Sequence, residues 1–173
     1  MKNFLESLFA GNIAPRMQPE IMDEAKRIWE DYIQCWNRHD IDAILELVSD
    51  DFIYDERPMT MLEPLVGKTA FADYLSDVFK AFPNLSIEIL SCEAGVKTAW
   101  SESIMRGKQT GRLGKLPASK KTMVVRVACA FEVAHKQLIH ERLYWDRANT
   151  LRQFGSLASV FGIFTQPVWK PVS

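Results

Sequence analysis

Five carboxylates sit where they could move a proton. Glu141 falls in the run Gln137 to Trp145. Its alternation sets Ile139, Glu141, Leu143 and Trp145 on one side and His140, Arg142, Tyr144 and Asp146 on the other. A carboxylate on an otherwise apolar strand face loses hydration, and its pKa climbs toward the range of a general acid or base. The competing reading pairs Glu141 with Arg126 or Arg106 as a structural ion pair. Glu102 shares a strand face with Trp100, Ile104 and Arg106. A carboxylate and a guanidinium two positions apart can pair with each other or grip a substrate carboxylate; an exposed strand face is the alternative. Asp55 and Glu56 end a strand beside the loop that carries Pro58 and Pro64. A carboxylate at a pocket rim can reach a carbon next to a carbonyl with little strain, whereas ordinary surface charge is the plain alternative. Asp146 stands just before a short helix, Arg147 to Phe154, where an aspartate acts by default as an N-cap worth about 1 kcal/mol. Tyr32 and Trp36 lie on the apolar stripe of a long helix, placed either to pack the core or to touch a ligand.

Metal chemistry finds no support in the spacing. His39, His135 and His140 form no HxH or HExxH pattern. The sequence has no G-x-S-x-G, P-loop or Rossmann signature, which argues against serine-hydrolase, nucleotide and nicotinamide chemistry. The expectation is therefore a site that needs no cofactor.

The elements that must position these residues follow from periodicity. A first helix is predicted from about Pro19 to Asp40, with Ile21, Ala25, Ile28, Trp29, Tyr32 and Trp36 on one stripe. A second runs from Ile41 to Val48, N-capped by Asp40. A strand covers Asp51 to Asp55, and a third helix spans about Lys68 to Phe82, stopped by Pro83. Four strand-like runs follow: Leu85 to Cys92, Lys97 to Lys108, Lys121 to Ala134 and Gln137 to Trp145. The stretch Gly111 to Ser119 reads as an exposed loop, and His135–Lys136 as a tight hairpin. Sequential strands with short connections favour an antiparallel meander. Helices first and a long curved sheet after them make an α+β fold, in which one sheet face packs on the helices and closes over an apolar pocket.

Length and composition bound the rest. At 173 residues the chain is expected to be one domain, with a core over about 19–155 and apolar extensions over 1–18 and 156–173. The 21 Lys and Arg against 22 Asp and Glu leave a net charge of −1, which gives no electrostatic reason to expect nucleic acid or a membrane surface as partner. Cys35, Cys92 and Cys129 are scattered with no CxxC pair, so buried free thiols in a reducing cytoplasm are expected. Met1 to Gly11, broken by Glu6, does not read as a signal peptide, and no apolar run reaches membrane-spanning length. Phe4, Leu5, Leu8 and Phe9 at the start, and Val160, Phe161, Ile163, Phe164 and Trp169 near the end, either pack on the domain or serve as a lid or dimer contact.

Several local patterns over about Ala25 to Gly155 occur in the order found in SnoaL-like polyketide cyclases. They are Trp36-Asn37-Arg38-His39-Asp40 followed by Asp51-Phe52, and Gly67 with Phe82-Pro83-Asn84-Leu85. Then come Gly107-Lys108-Gln109-Thr110-Gly111 and Tyr144-Trp145-Asp146 with Leu151-Arg152-Gln153-Phe154-Gly155. The chain resembles that family and its nuclear-transport-factor-2-like relatives. The resemblance implies a cone: a strongly curved, mostly antiparallel sheet wrapped by helices around an apolar pocket. It also implies a small lipophilic substrate and dimerisation through the outer sheet face. Fold alone does not fix function here, because relatives include cyclases, ketosteroid isomerases, epoxide hydrolases and non-enzymatic proteins.

The departures from the family pattern matter. Gln109 takes the position of the cyclase histidine; it can hydrogen-bond a carbonyl but cannot transfer protons near neutral pH. The stretch Thr122 to Val127, matching the strand that carries the cyclase aspartate, holds only Arg126 as an ionisable group. The late epoxide-hydrolase pattern puts Leu143 where its first aspartate should be. The resemblance turns the Leu143 side toward the pocket, which brings Glu141 and Trp145 with it, and gives Glu56 the position of the isomerase base. It also implies Tyr32 as a candidate donor to an enolate. The reading is a cofactor-independent acid–base enzyme on a polyketide-, terpenoid- or steroid-like molecule. Glu141, Glu56, Asp55, Glu102 and Asp146 are its candidate catalytic groups. Gln109, Tyr32, Trp36, Trp100, Arg106, Arg126, Leu143 and Trp145 are its candidate binding groups. The alternatives are a non-catalytic binding module and a structural dimer.

Overall fold

A computed structural model describes residues 19–57, 63–95, 98–114 and 116–155, with the side chains of 19–22 set aside. The apolar extensions, the loop at Pro58 and the strand start at Lys97 lie outside the described residues. The first helix, α1, runs Pro19–Arg38 and is followed by α2, Ile41–Glu46, whose N-cap Asp40 accepts from the Ala43 amide. Two strands come next, β1 at Val48–Glu56 and β2 at Leu65–Val66, then α3 at Lys68–Ala81. The rest of the sheet is β3 at Ser86–Ala94, β4 at Ala99–Lys108, β5 at Thr122–Ala134 and β6 at Gln137–Trp145, closed by α4 at Arg147–Gln153.

The α1 stripe folds as its spacing requires. Ile28, Trp29, Tyr32, Ile33 and Trp36 are buried at i, i+3 and i+4 intervals against the sheet. Trp29 stacks on Phe131 of β5 with ring centroids 4.3 Å apart, a contact worth about 0.5–1.5 kcal/mol beyond area burial. Asn37, one residue before the helix ends, donates to and accepts from the Ile87 backbone at 2.9 and 2.7 Å. That pair ties α1 to the edge strand and satisfies groups an edge would otherwise leave open. His39 is not a ligand in waiting: it stacks on Phe79 and its ring nitrogen meets the Leu85 carbonyl.

The sheet order is β2-β1-β6-β5-β4-β3. Strands β3 to β6 form the antiparallel meander that their short connections favour. The first strand then departs from simple succession. It pairs parallel with β6, Tyr54 opposite Glu141 and Glu56 opposite Leu143, while the two-residue β2 pairs antiparallel on its other side. Long crossover connections make such a parallel pair possible, and here the helix, sheet and hairpins between β1 and β6 supply one.

Bulges decide which residues face inward. On β6 the register shifts so that Leu138 pairs with Val133 and His140 with Glu132, leaving Ile139 as the extra residue. Glu141 and Leu143 therefore point into the core, preceded by Leu138 rather than Ile139. On β4 the inward set is Ala99, Ser101, Ser103 and Gly107, and the outward set includes Trp100 and Glu102.

The α4 cap places the last wall of the core. The Asp146 carboxylate accepts from the Asn149 amide at 2.9 Å, and the Gln153 amide binds both backbone groups of Val124. Leu151 and Phe154 are thereby pressed inward. Replacing Asp146 by alanine removes one cap bond and should cost about 1 kcal/mol, lowering the melting temperature by about 2–4 °C in thermal denaturation. A fall within error would show that the cap is not what holds α4.

Candidate active site

Between α1, α3 and the concave sheet face lies a cavity whose walls are almost entirely carbon. Its volume is about 90 Å³, against roughly 10–15 Å³ needed by one water on the same measure. The walls come from α1 (Trp29, Tyr32, Trp36), α3 (Tyr74, Val78), the sheet and α4 (Leu151, Phe154). Leu113 and Leu116 of the loop between β4 and β5 complete them. Two carboxylates enter this apolar space, Glu56 from β1 and Glu141 from β6, exposed by only 6% and 4%.

Glu141 is held by two donors. The Tyr32 hydroxyl gives its proton to Oε2 at 2.8 Å, and the Cys129 thiol approaches Oε1 at 3.7 Å. Neither donor is charged, and among the described residues no cation is paired with the carboxylate. Burial dominates, the two hydrogen bonds oppose it, and the nearby Glu56 charge adds to it; the pKa is raised from 4.5 to about 7. The Tyr32 and Cys129 protons are in turn held more tightly, by burial first and by the Glu141 charge second.

Glu56 is better solvated by the protein. Tyr74 donates to its Oε2 at 2.7 Å and the Trp145 indole to its Oε1 at 2.8 Å, while Tyr54 meets Tyr74 at 3.3 Å. Burial raises its pKa, but Tyr74, Trp145 and the Arg147 charge pull it back. The two carboxyls thus differ by environment: one carries strong neutral donors on both oxygens, the other a phenol and a weak thiol. A cavity that holds two buried carboxyls, both with raised pKa values, has the ingredients for proton transfer.

The other residues singled out by sequence are placed differently. Trp36, Leu143 and Trp145 line the cavity with Tyr32. Trp100, Glu102, Arg106 and Arg126 lie on the outer face instead. Arg126 pairs there with Glu102, and Arg106 with Glu88 at 2.8 Å. Trp100 is 52% exposed. The alternation on β4 is as read, but its polar-looking Ser101–Ser103 face is the inner one, because those small side chains leave room for α1 and the cavity. Asp55 turns to the back of β1 and pairs with Arg57 at 2.6 Å, and Asp146 is spent on its cap. Gln109 is buried, but its amide clamps the following loop: Nε2 donates to the Pro117 carbonyl and Oε1 accepts from the Ser119 amide. It builds the wall that carries Leu113 and Leu116 rather than facing the cavity. Tyr74 and Cys129 were legible only as core residues, since nothing local shows that their polar atoms meet carboxylates from distant strands. Among the described residues no group of His, Cys, Asp and Glu could hold a metal.

The family model of SnoaL-like polyketide cyclases matches residues 26–154. The chain belongs to this family. Its cone has the same fold as AclR of Streptomyces galilaeus (TM-score 0.67, 16% identity, covering 79% of this chain and 98% of that one). A limonene-epoxide-hydrolase-like epoxide hydrolase of Mycobacterium tuberculosis superposes with a TM-score of 0.63 at 15% identity, over 82% of this chain and 97% of that one. SalBIII, an epoxide hydrolase/cyclase-like enzyme of pyran ring formation in the polyether salinomycin, does so at 0.60 and 17%, over 72% and 92%. No curated protein matches the sequence. At these identities the structural likeness speaks for the fold. Within the described residues, no helix of this SnoaL-like chain is long and apolar enough to cross a membrane.

The Glu141 environment makes stability depend on pH with a definite sign. Between about 4.5, where an exposed glutamate titrates, and about 7, the unfolded chain has lost a proton that the native state keeps. Stability from this group is full below that window and declines across it by about 3 kcal/mol, at 1.36 kcal/mol per pH unit. Urea unfolding of wild type relative to Glu141→Gln from pH 4 to 9 should show this decline, levelling above pH 7. In Tyr32→Phe, which loses a donor to the carboxylate, levelling should move to higher pH. A flat difference at all pH values would contradict the burial of an ionisable Glu141.

Proposed function

We propose that the chain is a cofactor-independent acid–base enzyme that moves a proton next to a carbonyl, or opens a strained oxygen ring, on a small lipophilic molecule. The observation that carries this reading is Glu141: an uncharged-partner carboxyl inside an aromatic cavity, with a pKa of about 7. At neutral pH such a group is about half ionised. The ionised half is a stronger base than a solvated carboxylate, and the protonated half is an acid available to a leaving oxygen. Tyr32 orients the carboxylate and stabilises it as it ionises. Glu56, fixed by Tyr74 and Trp145, is the second carboxyl; its charge raises the basicity of Glu141, and its oxygens are already taken. Trp36, Leu143 and Trp145 provide the apolar bed for rings. The roles of two structural neighbours, epoxide hydrolysis and pyran ring formation, agree with oxygen-bearing polyketide-like substrates.

The same reading places the chain in a reducing cytoplasm, which its free Cys35, Cys92 and Cys129 fit. It also places a second copy on the outer sheet face, where Trp100, Val124 and Tyr144 are exposed. A carrier of unmodified ligand is the second reading. What favours it is Gln109, whose side chain is committed to its loop in the position where cyclases keep a histidine.

Exchange of the α-protons of 1-tetralone in deuterated water, followed by NMR, separates the two. An enzyme should accelerate exchange, with a rate rising through a midpoint near pH 7. Glu141→Gln should lose about 10²–10⁴-fold of the acceleration while remaining folded. Tight binding of 1-tetralone without accelerated exchange would establish the carrier instead.

A further inference from the structure

Ser103 is a buried polar group that neither carboxyl network uses. It sits on the inner face of β4, lines the cavity and is 2% exposed. Its hydroxyl has no hydrogen-bond partner among the described residues. The residue lines the cavity while its hydroxyl oxygen is itself covered, so a turn about the single χ1 bond is what brings the hydroxyl to the wall. Across the sheet on that face the neighbours are Val127 and then Trp145, whose indole already donates to Glu56. A hydroxyl buried among such neighbours is disfavoured unless something entering the cavity supplies its partner.

The register places Ser103 far from Glu141. The row Ser103–Val127–Trp145 lies four residues along β6 from Glu141, and β4 is two strands away. With about 4.8 Å between strands and about 3.4 Å per residue, the two Cα atoms lie roughly 17 Å apart along the sheet before curvature. One carbonyl cannot serve both side chains.

We infer that Ser103 is a specificity residue that holds a second oxygen of the ligand, remote from the atoms on which Glu141 acts. The ligand class this implies is a fused-ring or similarly extended hydrophobe carrying oxygen at both ends: a carbonyl or epoxide toward Glu141, and a hydroxyl, ether or carbonyl toward Ser103. Serine both donates and accepts, so any of these oxygens satisfies it. The assignment of the reacting end rests on the proposed function; the Ser103 contact does not.

The test compares 6-hydroxy-1-tetralone with 1-tetralone at pH 7, by calorimetric affinity and by α-proton exchange at saturation. Wild type should prefer the hydroxylated ketone. Ser103→Ala should reduce that preference roughly 3–10-fold, the scale of one neutral hydrogen bond. It should leave the affinity for 1-tetralone within about twofold and the saturated exchange rate unchanged. Its melting temperature should hold or rise, because the lost hydroxyl has no partner among the described residues. A preference that survives in Ser103→Ala, a large drop in melting temperature, or failure of both ketones to bind wild type would each overturn the inference. A Ser103-dependent preference without any exchange would instead overturn only the proton-transfer role of Glu141.

Discussion

The desolvation of one carboxyl organises this molecule. An ionised glutamate in an apolar cavity is costly unless it is paired, and among the described residues no cation pairs with Glu141. What it has is a phenol from α1 and a thiol from β5, enough to hold its geometry and too little to hold its charge at low pH. Everything around it serves that balance. The helix must dock so that Tyr32 reaches across 109 residues of sequence. The β6 bulge must fall at Ile139, so that Glu141 turns inward. Arg126 and Arg106 must stay on the outer face with Glu102 and Glu88, since a guanidinium beside Glu141 would pull its pKa down and remove its basicity.

Most of the architecture was legible because it is written in periodicity. The α1 stripe, the Asp40 and Asp146 caps and the Gln137–Trp145 strand all follow from spacing and turn chemistry, with boundaries off by only a residue or two. The parallel pairing of β1 with β6 was not legible, because no local signal announces a partner so distant in the chain. The face of β4 stayed open in the sequence for a related reason. Alternation yields two sets, Trp100–Glu102–Ile104–Arg106 and Ser101–Ser103–Met105–Gly107, but does not say which is inside. The larger apolar side chains point outward, while the small ones admit the helix and the cavity.

The polar atoms of the site show the same divide. Glu141 and Glu56 could be singled out as carboxylates on apolar ground, but their partners could not. Tyr74 and Cys129 look like ordinary core residues until the sheet closes and brings them to a carboxylate. Gln109 shows the reverse: a residue marked by its position in a family motif proves to be occupied with its own loop. Motif position identified the loop correctly and its chemistry less well, because the same turn can be stabilised by an amide or equipped with a base.

The parallel pairing of β1 and β6 also has a temporal consequence. Glu56 meets Trp145 across 89 residues, and no contact between the two carboxylate strands can form until the meander is complete. Contacts of such high sequence separation carry the largest loop-closure cost and form late. During synthesis the first strand emerges long before its partner and must wait, one edge unpaired, while α3 and the hairpins assemble. The cavity, which needs both carboxylate strands apposed, is therefore expected to close late in assembly.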